Sequence, residues 1–130
     1  MKILLFVFVL VVPFNVLAKG ISGDYVASTS YGNIFCLSLK QENENITGTF
    51  DEVDFKQIVP INNGTYTNDT LRFDVTFKVN RQNILLTMSA NKLNNNPELF
   101  FGNYKIGSER GDFVLYQIKA KPKVCKTLSR

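Results

Sequence analysis

The side chains best suited to proton transfer or metal ligation in this chain are its carboxylates and two cysteines, because the sequence contains no histidine. That absence removes Ser-His and Cys-His nucleophile pairs and every His-ligated metal site. The densest acidic group is Asp51, Glu52 and Asp54. Its spacing matches no calcium loop, so the trio reads as a solvated turn. Paired carboxylates can hydrolyse glycosides, but only at a fixed separation, and nothing in the sequence fixes such a pair. Two cysteines are too few for a thiolate-held metal. The expectation is a non-enzymatic protein with no metal and no cofactor, one that binds rather than converts.

What the cysteines do depends on where the chain goes. It begins MKILLFVFVLVVPFNVLAKG, with a cation at Lys2, an unbroken apolar run from Ile3 to Val12, and small residues around Val16-Leu17-Ala18. That is the order of a secretory signal peptide over residues 1–18, cleaved after Ala18. The apolar run is well short of the roughly 20 residues that cross a bilayer as a helix. No later stretch approaches that length, so no integral membrane segment is expected after cleavage. A secreted or periplasmic location follows. In an oxidising compartment the simplest state of two cysteines is a bond, Cys36–Cys125. Closing a loop of about ninety residues stabilises by roughly 4 to 5 kcal/mol on the chain-entropy account, an upper-end figure.

The remaining chain is long enough for one folding unit and too short for two. It divides into a domain over residues 19–118 and a tail over 119–130. The formal charge of the whole chain is +4. The excess is local: Lys119, Lys121, Lys123, Lys126 and Arg130 fall in the tail without a single acid among them. A run of that kind reads first as a solvated terminus. Trp is absent and no basic-aromatic stripe runs along the chain, so nucleic acid is not an expected partner.

The elements that must position these groups are strands. In Leu71-Arg72-Phe73-Asp74-Val75-Thr76-Phe77-Lys78-Val79 every odd position is apolar and every even one polar. A period of two belongs to a strand with one buried and one wet face. Comparable segments are 24–30, 33–40, 45–51, 55–61 with an extension towards Tyr66, 82–92, 98–106 and 112–119, eight in all with 70–79. Short linkers rich in Asn, Asp and Gly separate them, at hairpin length. The expected fold is all-β, an eight-stranded antiparallel up-and-down barrel, with a β-sandwich of the same strands as the alternative. The stretch from Asn91 to Pro97 is expected to be a long, polar connection and the first surface to test for a protein partner.

A second regularity is Gly followed two residues later by an aromatic: Gly23-Asp24-Tyr25, Gly48-Thr49-Phe50, Gly64-Thr65-Tyr66, Gly102-Asn103-Tyr104 and Gly111-Asp112-Phe113. Glycine inside a strand marks a bend that small barrels need, and a neighbouring aromatic covers the gap it leaves. Gly23-Asp24-Tyr25, the polar hairpin at Gly32-Asn33 and Ile46-Thr47-Gly48-Thr49-Phe50 resemble the opening hairpin of the avidins. Gly23-Asp24-Tyr25 also keeps the spacing of the lipocalin Gly-x-Trp motif without its Trp. The chain thus resembles the calycin group of small barrels, and the barrel inhibitors of bacterial metalloproteases. A disulfide from a strand to the C-terminal tail is a lipocalin habit too. The resemblance implies fold rather than ligand. Without tryptophan to cage it, biotin is not an expected ligand.

If the periodic face points inward, the interior is lined by Phe35, Leu37, Leu39, Phe50, Phe73, Val75, Phe77, Leu86, Met88, Phe101 and Phe113. The candidate ligand-binding residues are Tyr25, Phe35, Phe50, Phe73, Phe77, Met88, Phe101 and Tyr104. So many phenylalanines favour an interior filled by side chains over an open one. The partner is a small apolar or amphipathic ligand or, alternatively, an extracellular protein met through the barrel-end loops, as by a protease inhibitor or secreted effector. Sequons at Asn45, Asn63 and Asn68 are glycan acceptors if the source is eukaryotic.

Overall fold

Alternation of apolar and polar residues dictates the architecture of the computed structural model, which describes residues 20–53, 56–93, 96–119 and Cys125. The expected signal peptide, Asp54 and the tail other than Lys119 and Cys125 lie outside the described residues. Nine strands form among the described residues: β1 (Gly23–Thr29), β2 (Ile34–Glu42), β3 (Asn45–Glu52), β4 (Gln57–Pro60), β5 (Asn62–Thr67), β6 (Thr70–Val79), β7 (Gln82–Leu93), β8 (Asn96–Ile106) and β9 (Glu109–Ile118). All pairings are antiparallel, in the order β2-β1-β9-β8-β7-β6-β5-β3-β4.

The β2–β3 pairing joins the two flanks of that order into a ring. It decides for a closed eight-strand up-and-down barrel over a sandwich, with β4 as one extra strand. β4 pairs with the C-terminal half of β3 and β5 with its N-terminal end, so the two share one place in the wall, broken at Ile61. β5 then pairs with β6, whereas β4 has no backbone ladder to that strand. A side chain spans the gap. The Gln57 amide donates to the Lys78 carbonyl and accepts from the Lys78 N–H at 3.1 Å.

The turns follow their residues. Asn68-Asp69 and Asn80-Arg81 both hold two consecutive positive φ angles, between 52° and 68°. That is the turn whose twist matches a two-residue hairpin. The expected long connection from Asn91 to Pro97 is a misreading. β7 runs on to Leu93 and β8 begins at Asn96, because a polar sequence on one barrel wall pairs as well as an apolar one.

The core is continuous. Leu37, Leu39, Phe50, Leu71, Phe73, Val75, Leu86, Met88, Phe113 and Leu115 are buried together along the barrel axis. Phe50 touches Phe35 and Phe73, with ring centroids 4.8 and 6.4 Å away. Full burial of each such side chain stabilises by about 1.5 to 3 kcal/mol. Gly48 shows what its motif does. It sits at φ +147°, and a methyl group there would run into the Ser38 carbonyl on β2, so only glycine allows the two strands this approach.

On the outer wall lies a second, smaller cluster. Cys36 faces outward from β2 and is bonded to Cys125, with Cα atoms 6.0 Å apart and a sequence separation of 89. Val26, Val53 and Ile118 pack around the bond. Such a bond accords with an oxidising compartment.

Candidate functional site

Both ends of the barrel are rimmed by hairpins, but they are built differently. At the pole where β1 begins and β9 finishes, Ile21 is buried and held by two bonds: its N–H donates to Gln41 Oε1 at 2.8 Å, and its carbonyl accepts from the Tyr25 hydroxyl at 2.8 Å. The Phe100 ring meets Tyr25 on one side and Tyr66 on the other, edge to face, at 6.1 Å each. This pole is packed.

The opposite pole holds a cavity of about 560 Å³. Its walls are Phe35, Phe77, Leu86, Tyr104 and Ile106, and Tyr31, Asn33, Glu52, Glu109 and Arg110 complete the lining. A surface groove continues from it past Tyr31, Tyr104 and Arg110 to Asn103 and Asp112. The rim is ordered by the hydroxyl of Thr29, a buried residue at the end of β1. Its Oγ1 accepts from the backbone N–H groups of Tyr31 at 3.3 Å and Asn33 at 3.0 Å. A polar atom buried at a strand end is here the pin of a turn.

Tyr104 bridges core and cavity. A methyl at Gly111, its partner on β9, would lie 2.5 Å from the Tyr104 ring, so the ring rests directly over that glycine. Burial raises the Tyr104 hydroxyl above its ordinary value, reinforced by Tyr31 and opposed by its hydrogen bond with Thr29.

Glu52 is the residue the sequence misplaced. It was expected in a solvated acidic turn, yet it belongs to β3 and is 3% exposed. It lies two residues beyond inward-facing Phe50, hence on the same face, and opposite Phe35 of β2. Asp51, also buried, takes the other face beside Cys36 and Cys125. Neighbouring carboxylates on opposite sides of a strand do not converge on one ion.

Of the candidate ligand-binding residues, Phe35, Phe77 and Tyr104 line the cavity. Tyr25, Phe50, Phe73 and Met88 are buried in the packed body of the barrel. Phe101 is a correction: it is 50% exposed on the outer wall, and Phe100 holds the inner position. β8 therefore runs one residue out of the expected phase. Tyr31, Asn33, Glu52, Ile106, Glu109 and Arg110 were not among the candidates. The sequon asparagines Asn45, Asn63 and Asn68 are all exposed.

A scan against protein-family models, a search of curated proteins and a search of solved structures each gave no match. Among the described residues, no helix is long and apolar enough to cross a membrane as a helix.

Proposed function

We propose that this protein is a secreted or periplasmic, non-enzymatic carrier with a calycin-like barrel, holding one small apolar or amphipathic ligand in the open pole. The observation that carries this reading is the cavity of about 560 Å³, with apolar and aromatic walls and a few polar groups at its margin. Small-molecule sites have that size, that lining and that economy of polar groups. A barrel filled from end to end would have spoken against it, and the packed core stops short of the open pole. Export rests on the signal-like sequence over residues 1–18 and is supported by the disulfide.

The test uses N-phenyl-1-naphthylamine, a neutral probe whose emission rises in apolar surroundings. Saturable one-to-one binding is expected, abolished by Ile106→Trp, which fills the cavity from its margin. A native protein that gives no saturable signal overturns the reading. Export is checked separately: the protein recovered outside the producing cytoplasm should begin at Lys19.

A further inference from the structure

The cavity carries information about what it holds. A barrel that took only hydrocarbon would have apolar residues throughout its inner face, yet this one turns a carboxyl group inward at Glu52, among Phe35, Phe77 and Tyr104. Removing a carboxylate from water is costly, and such a group is retained where donors or positive charge meet it. A carboxylate offers about four lone-pair sites, so it can accept from a donor in the cavity as well as from donors of the protein. Aromatic rings attract a cation to their faces. Glu109 adds a second carboxyl group to the lining, against one guanidinium, that of Arg110.

Resting on the carrier reading, we propose that the ligand is a small organic cation: an amine whose ammonium group is held by Glu52 and the surrounding rings, with its apolar remainder against Phe35, Phe77 and Leu86. Recognition is then by charge-assisted hydrogen bonding at one end of the ligand and apolar contact along the rest. An anion of equal size would meet Glu52 with like charge.

The experiment compares three probes of similar size by calorimetry on the native protein at neutral pH: phenethylammonium, 2-phenylethanol and phenylacetate. The ammonium compound is expected to bind at least about ten-fold more tightly than the alcohol, the factor that a charge-assisted bond of about 1.4 kcal/mol supplies. Phenylacetate should be weakest. Glu52→Gln, of nearly the same shape, should bring the ammonium-to-alcohol ratio close to one. Equal binding of all three probes, or preference for the alcohol or the acid, overturns the cation inference and leaves the carrier reading intact. An unchanged ratio in a folded Glu52→Gln protein also overturns it. Failure of all three probes, together with the naphthylamine, defeats the carrier reading itself. The probe series needs no variant, so the inference stays exposed to refutation even if the substitution prevents folding.

Discussion

The packed pole and the open pole are made from the same wall, with aromatic residues facing inward at both, yet only one leaves room. At the packed pole Tyr25, Phe100 and Tyr66 meet edge to face, and Tyr25 bonds to the backbone of Ile21. At the open pole Tyr104 lies over Gly111 instead. Cavity volume is thus decided less by how much aromatic bulk the barrel contains than by what each ring leans on. A ring that finds a glycine to cover stays against the wall, while a ring that finds another ring fills the axis.

The largest test of this contrast is a matched pair of truncations. Phe100→Ala, in the packed pole, should cost about 3 to 5 kcal/mol of unfolding free energy in urea titrations. Phe77→Ala, beside space that already exists, should cost at least about 1 kcal/mol less, because its loss only enlarges that space. Equal costs would break the distinction between the poles. Next comes Gly111→Ala, whose new methyl must displace the Tyr104 ring. If the ring moves into the cavity, affinity for N-phenyl-1-naphthylamine falls by about ten-fold, equivalent to about 1.4 kcal/mol. Undiminished binding would show that the ring does not bound the cavity. Tyr25→Phe removes the bond to Ile21 and should cost about 1 kcal/mol, with the naphthylamine affinity unaltered.

A titration sharpens the comparison further. Burial raises the hydroxyls of Tyr66 at the packed pole and Tyr104 at the open one, with Lys92 pulling Tyr66 back down. Both folded values lie above the unfolded value of about 10. The stability each contributes is therefore fully present below that pH and is lost as pH rises through the folded value. Absorbance at 295 nm should show late-ionising steps that Tyr66→Phe and Tyr104→Phe each remove. Saturating 2-phenylethanol should move the Tyr104 step upward and leave the Tyr66 step in place, since only the former borders the cavity. The smallest effect belongs to Phe101→Ala, on the outer wall, expected within about 0.5 kcal/mol of the parent protein. A cost near that of Phe100→Ala would put β8 back in the other phase.

The sequence revealed the barrel well where the period of two was unbroken. β6 is such a strand, and its inward set of Leu71, Phe73, Val75 and Phe77 lies where alternation put it. β8 misled because Leu99, Phe100 and Phe101 are apolar in succession and leave the phase open. The signal that resolves it was present: Gly102 and Tyr104 share a face, and counting back by two reaches Phe100. The same count from Phe50 leads to Glu52, which its company in an acidic run disguised as a turn residue. Tyr31, Glu109 and Arg110 were not legible at all. They come from hairpins far apart in the chain, and only the pairing of β1 with β9 makes them neighbours. Nor does periodicity reveal that one place in the wall is split at Ile61.

The register of β1 against β9 sets Asp24 opposite Ile118, so the chain joins and leaves the barrel side by side, at the pole away from the cavity. A segment joined ahead of Gly20 therefore departs from the pole away from the cavity, whereas the bond of Cys125 to Cys36 returns the other end of the chain to the outer wall of β2. A molecule anchored from its N-terminal side turns the open pole towards solution, and on the carrier reading it is expected to take up N-phenyl-1-naphthylamine on a surface as it does when free.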